Sequence, residues 1–295
     1  MNQSSNHPAR AVVLLILLSL IWGTSFILMK RGLEVFSAWE VGSLRIAAAS
    51  VFLLPIAVTQ LRGLELRHYG KLLLSGLMGI FLPAFLFSLA QTRLASSVTG
   101  ILNSLTPICT LLIGVIVFKQ VFRRASLIGI LIGLVGTCIL IMTNSEGGFG
   151  GFHFFSFFVI LACILYATNV NFIKYKITDL RALTITSVSL MLIGPPALLF
   201  LLTATSFVDK MQTVPGAWKA LGFVLLLGFM STSLATILFN KLVKISSPLF
   251  TSSVTYLIPV VAVLWGLLDG ERLLLGHFIG MVAIILGVYL ANRKT

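Results

Sequence analysis

Trp22-Gly-Thr-Ser-Phe-Ile-Leu-Met-Lys30 returns 144 residues later as Tyr166-Ala-Thr-Asn-Val-Asn-Phe-Ile-Lys174. An aromatic residue matches an aromatic residue, Ser25 matches Asn169, and each copy stops at a lysine. Further matches extend outward. Leu105-Thr-Pro107 pairs with Leu257-Ile-Pro259 at an offset of 152, and Gly129 and Gly136 pair with Gly280 and Gly287 at 151. The chain is therefore read as two related halves.

Each copy lies in a long apolar run. A helix crosses a bilayer with about 20 mostly apolar residues. Ten such runs are present: Ala11–Met29, Val41–Val58, Leu72–Leu89, Val98–Phe118, Leu127–Thr143, Phe154–Ile173, Leu183–Thr203, Ala220–Phe239, Leu249–Leu268 and Leu274–Ala291. Five fall on each side of the glycine-rich connector Gly147–Gly151. Five is odd, so the second half enters from the opposite side. The expected fold is an all-α integral membrane protein of ten transmembrane helices, arranged as two inverted five-helix repeats. The expected divisions are a tail at 1–10, repeats at 11–143 and 154–291, a connector at 144–153, and a tail at 292–295. The first run is longer than a signal-peptide core and is read as a retained span.

Composition agrees. Of 295 residues, 58% are hydrophobic and 10% are charged, where a soluble domain carries about 25% charged. The net charge of +13 does not indicate nucleic acid, because the basic residues sit in short clusters between apolar runs rather than on one solvated face. With the N-terminus placed inside, 14 of the 21 Lys and Arg fall in inside segments and 6 in outside ones, with Arg45 within a span. That bias predicts both termini in the cytoplasm. The lipid bilayer and a small-molecule substrate are the expected partners.

Polar groups in hydrocarbon are default site candidates. In the fourth run Thr99, Asn103, Thr106 and Thr110 recur at helical spacing, and Pro107 interrupts the backbone beside them. The ninth run keeps Thr251 and Thr255 of the matching stripe, with Tyr256 adjacent and Pro259 as the second expected helix break. Trp22 with Ser25, and Tyr166 with Asn169, give matched aromatic–polar pairs. These residues form the predicted substrate-binding set. Interhelical hydrogen bonding is the alternative role for the hydroxyls and amides. Ser231, Thr232 and Ser233 either line a pathway or bond to their own helix. Arg45 either binds an anionic group or plays a structural part, snorkelling outward or pairing with Glu34 or Glu40; the structural part is favoured. Lys30 and Lys174 are read as span terminators. Gly129-x-x-x-Gly133 and Gly276-x-x-x-Gly280 permit close helix packing, within the chain or across a homodimer.

All eight carboxylates and all four histidines lie at or near run ends, which leaves no buried proton relay and no catalytic cluster. Cys109, Cys138 and Cys163 have no metal-ligand spacing. No metal and no cofactor is expected. The alternatives to a carrier are a membrane-embedded enzyme, a channel or a scramblase.

Trp22-Gly-x-x-Phe26, Arg45-Ile-x-x-Ala49, Leu105-Thr-Pro107 and Gly270-Glu-Arg-Leu273, in this order, resemble the EamA type of the drug/metabolite transporter superfamily over about Val12 to Asn292. One departure is Lys119-Gln120, where the family often has an acidic residue as Glu271 stands here. The resemblance implies a bacterial inner-membrane carrier that exports an amino acid or similar amphiphile. It places the cavity between spans 1, 3, 4, 6, 8 and 9, with spans 5 and 10 peripheral. An arginine at position 45 is common in that family.

Overall fold

A computed structural model describes residues 7–94, 96–121, 124–144, 154–268 and 274–292. Among the described residues every regular element is helical and no strand occurs. In chain order the helices are α1 (His7–Leu33), α2 (Ala38–Gln60), α3 (Leu66–Gly76), α4 (Leu82–Gln91), α5 (Ser96–Asn103), α6 (Thr106–Ile116), α7 (Arg124–Asn144), α8 (Ser156–Lys176), α9 (Ala182–Thr203), α10 (Phe207–Thr213), α11 (Ala217–Leu227), α12 (Ala235–Ile245), α13 (Pro248–Ser252), α14 (Val254–Leu268) and α15 (Leu275–Asn292). Six continuous helical stretches are long and apolar enough to cross a membrane, and shorter apolar helices accompany them. Residues 145–153, both chain ends and Glu271 lie outside the described residues.

The expected third, fourth, eighth and ninth runs are each interrupted. Wide π turns at Leu77–Phe81 and Gly228–Leu234 join α3 to α4 and α11 to α12. The first has an evident cause: Pro83 has no N–H to give the Gly79 carbonyl one helical turn back. The second has no proline. There Ser233 Oγ donates to the Gly228 carbonyl five residues earlier at 3.1 Å, which suits the wider turn. The fourth run breaks at Ser104–Leu105, with Pro107 in the first turn of α6 where its missing donor costs nothing. The ninth breaks at Ser253, and Pro259 stays inside α14. The expected break at Pro259 is thus corrected to a point six residues earlier.

Helix ends are tied by side chains. Ser37 and Glu40 form a reciprocal capping box on α2, and Glu40, only 1% exposed, also pairs with Lys210 at 2.7 Å. At the end of the bundle holding residues 60–71, 174–184 and 240–251, Lys174 Nζ donates to the Val243 carbonyl at 3.1 Å, and Lys244 to the Ile177 carbonyl. These lysines satisfy carbonyls left free at helix C-termini. At the same end the Glu65 amide donates to His68 Nδ1, so the proton sits on Nε2 and is given to Asp179 at 2.8 Å. That bond holds the Asp179 carboxyl below its ordinary pKa.

The glycine faces are occupied within the chain. A Cβ on Gly287 of α15 would lie 2.6 Å from the Gly129 carbonyl of α7, and one on Gly136 would lie 2.8 Å from the Gly280 carbonyl. α7 and α15 therefore pack backbone to backbone. Of the two roles expected for the faces Gly129/Gly133 and Gly276/Gly280, packing within the chain or across a homodimer, the structure shows the first, with Gly129, Gly133 and Gly280 against a helix of the same chain.

Gly287→Val forces these two backbones apart. The expected result is a loss of about 1–3 kcal/mol, typical of overpacking, read as a lower melting temperature of the purified protein in detergent. An unchanged melt would mean that α7 and α15 are not held this closely.

Candidate functional site

The four helix interruptions converge. A cavity of about 90 Å³ is lined by Gly79 and Ile80 from the first π turn, by Asn103 and Thr106 across the α5–α6 break, by Ser231 and Thr232 from the second π turn, and by Ser252 and Thr255 across the α13–α14 break. A water needs about 10–15 Å³ on this measure, so the space admits several waters or a small organic group. Irregular backbone is tolerated at membrane depth where it faces protein or a wet cavity rather than lipid.

The halves interlock around this space. Trp22 of α1 donates through Nε1 to the Ser231 carbonyl at 3.2 Å, reaching the π turn of the other half. Its repeat partner helix α8 does the reciprocal thing. Asn169 Oδ1 accepts from Ser75 Oγ at 2.8 Å, and its amide carbon lies 2.9 Å from where a Gly79 Cβ would stand. Only glycine at position 79 lets the Asn169 side chain reach the first π turn.

Aromatic rings close the walls. Tyr166 stacks on Phe87 with centroids 5.9 Å apart, and Trp22 tilts against Phe239 at 5.1 Å. Such pairs add about 0.5–1.5 kcal/mol beyond area burial. The polar groups are neutral with one exception, Arg45. Asn103 Oδ1 accepts from Thr106 Oγ1 at 3.2 Å, while its amide nitrogen has no acceptor among the described residues.

Seven of the predicted binding residues line one cavity: Trp22, Ser25, Asn103, Thr106, Tyr166, Asn169 and Thr255. Two do not. Thr99 is fully buried off the lining. Tyr256 is also fully buried, packs its ring on Gly133, and donates its hydroxyl to the Ile130 carbonyl of α7 at 3.0 Å. Tyr256 is corrected from a binding residue to a brace between α14 and α7. Of the stripe, only Asn103 and Thr106, the two residues flanking the Ser104–Leu105 break, reach the cavity; Thr99 and Thr110 lie one helical turn away on either side. Thr110 turns to α8, where its carbonyl accepts from Asn171 at 3.1 Å.

Arg45 is the main correction. It pairs with neither expected carboxylate, since Glu34 is bound to Arg31 and Glu40 to Lys210. It faces the cavity and donates through Nε to Thr232 Oγ1 at 3.1 Å. Gly79, Phe87, Phe239 and Asn240 also line the space and were missed. A proline four residues on was the only available signal for Gly79. Asn240 fell just past an apolar run and read as a run end.

The family model of EamA-like transporters matches residues 9–142 and again 153–293. The chain belongs to the EamA-like transporter family. It is a multi-pass membrane protein. It is 24% identical over 283 residues to an uncharacterized transporter of Archaeoglobus fulgidus, covering 96% of this chain and 98% of that one. It is 26% identical to the uncharacterized inner membrane transporter YedA of Escherichia coli strain K12, covering 93% of this chain and 88% of that protein. Its fold matches a crystal structure at a TM-score of 0.74 and 18% identity, with 96% of each chain covered.

For this EamA-like chain, Gly79→Ala is expected to displace Asn169 and break its bond with Ser75, at a cost of about 1–3 kcal/mol. Gly70→Ala, where a Cβ meets nothing within 4 Å, is expected to be neutral or stabilising by up to about 1 kcal/mol. Thermal melts of the two variants in detergent check the contrast; equal shifts would remove the Gly79–Asn169 contact from the site.

Proposed function

We propose that this protein is a secondary carrier that moves a small metabolite by alternating access around the central cavity. The observation that carries this reading is the meeting of all four helix interruptions at one polar, aromatic-walled space. Interrupted helices give a bundle places to bend, and they leave backbone polar groups facing a ligand.

In this reading the chain crosses the bilayer ten times as two inverted five-helix repeats, at 11–143 and 154–291. The two family matches and the reciprocal contacts of Trp22 and Asn169 support it. The basic bias supports both termini in the cytoplasm, and the Escherichia coli relative supports the bacterial inner membrane. The polar ties of Lys174, Lys244, Asn171 and His68 then close the cytoplasmic end in this conformation. The seven lining residues named from sequence bind the substrate, joined by Arg45, Ser231 and Thr232. The α5–α6 and α13–α14 breaks act as hinges. Export of an amino acid or similar amphiphile is what the family resemblance implies. No described carboxylate or histidine lines the cavity, which favours a carrier over an enzyme needing a general base.

Vesicles containing the purified protein test this. Saturable counterflow of a labelled metabolite is expected, whereas linear flux at ion-channel rates would contradict a carrier. Asn103→Ala and Trp22→Ala are expected to lower the initial rate by about tenfold or more, as loss of ligand or transition-state contacts does, with folded elution profiles retained. Collapse of both variants into aggregates would instead assign these side chains to packing.

A further inference from the structure

Among the described residues Arg45 is the only charged side chain lining the cavity. A guanidinium carries five N–H donors and stays charged at any physiological pH. Its Nε–H is taken by Thr232 Oγ1. The other four donors meet no acceptor and no carboxylate among the described residues. Arg45 is half-buried, and a charge drawn out of water is ordinarily paired; no carboxylate pairs with this one among the described residues. The planar fork left open fits the two oxygens of a carboxylate.

Arg45 is not required to build the repeat. At the offset of 144 that relates α1 to α8, its mate is Ser189 of α9. The two occupy equivalent places: a Cβ on Gly228 would lie 2.9 Å from the Arg45 carbonyl, and one on Gly76 would lie 3.3 Å from the Ser189 carbonyl. Ser189 ends in a bond to the Leu72 carbonyl at 2.7 Å. The second half thus packs the same way with a small neutral residue and no cation.

A second group points the same way. Ser231 is one of the lining residues and is 2% exposed, and its Oγ, closed off beside the cavity, has no hydrogen-bond partner among the described residues. It adjoins Thr232, the residue that orients Arg45. Ser233 donates to the Ala49 carbonyl at 3.3 Å, one turn along α2 from Arg45, and so fixes this π turn against the helix that carries the cation.

We propose that the cavity, in a conformation opened beyond the 90 Å³ seen here, binds an organic carboxylate with an aromatic body. Its carboxylate sits on the open edge of Arg45 and accepts from Ser231, and its ring lies between Trp22, Phe87, Tyr166 and Phe239. This rests on the carrier reading for its place in a transport cycle, but the binding site stands by itself. Among the described residues no acidic side chain lines the cavity to receive an ammonium group. A carboxylate alone is therefore sufficient for recognition, and an ammonium alone is not. The source of the carboxylate, a simple organic acid or an amino acid, is separated by the ligands below.

Three compounds of nearly equal shape decide it: 3-phenylpropionate, phenylalanine and phenethylamine. Binding to the purified full chain in detergent is measured by calorimetry, apart from any flux. 3-Phenylpropionate is expected to bind saturably and phenethylamine not to bind. Phenylalanine binding as tightly as 3-phenylpropionate would assign the site to amino acids, and weaker binding to simple acids; either supports the anchor. Arg45→Gln is expected to weaken 3-phenylpropionate at least tenfold, with Arg45→Lys intermediate because it keeps the charge but not the fork. Ser231→Ala, a small change where Arg45→Gln may not fold, is expected to weaken it several-fold. Equal binding of phenethylamine, no binding of either carboxylate to folded wild-type protein, or an unchanged affinity in folded Arg45→Gln or in Ser231→Ala overturns the proposal. Carboxylate binding without counterflow would remove the carrier reading and leave the site. Counterflow of a neutral or cationic solute without carboxylate binding would do the reverse.

Discussion

Backbone amides and carbonyls have no partner in hydrocarbon, and each one left unmet there costs several kcal/mol. This constraint organises the molecule. Four of its apolar segments depart from regular α-helix, and each departure is turned inward onto the same space. There the freed groups meet side chains of the other half, as the Ser231 carbonyl meets Trp22, or face the cavity. The lipid side of the bundle is left to unbroken helix and to exposed aliphatic residues such as Val51, Leu199 and Ile285.

The two π turns show how one geometry arises from different chemistry. At Leu77–Phe81 a proline withdraws a donor. At Gly228–Leu234 a serine hydroxyl takes over a carbonyl. Both widen the helix at matching places, and both receive a side chain from the first helix of the opposite half. The contents then diverge. One turn presents Gly79 to an asparagine, and the other presents hydroxyls beside a guanidinium. A near-symmetric frame thereby encloses an electrically lopsided interior.

Much of this was legible in the sequence. Apolar run length gave the membrane and the all-helical class, and paired motifs at offsets of 144, 151 and 152 gave the two related halves that the family model matches. The Asn103–Thr106–Pro107 cluster gave one helix break and one wall. What escaped has physical reasons. A π turn has no residue signature of its own, and Ser253 breaks its helix without a proline. Tyr256 follows Thr255 by one position, about 100° around the helix, and that turn carries its ring to α7, where the hydroxyl meets the Ile130 carbonyl. Arg45 had two acidic neighbours along the chain, and only the fold shows both already bound, one of them by Lys210 from 170 residues away.

The packing of α7 on α15 bears on how the protein is made. The last helix of the first half finds its backbone partner only in the last helix of the chain, about 150 residues later at synthesis. Until α15 is in place, the glycine face of α7 lacks the helix that packs on it, and Trp22 waits in the same way for Ser231. Contacts this distant along the chain form late. The first half alone therefore leaves α7 with an uncovered backbone face, and the second half supplies the helix that closes it.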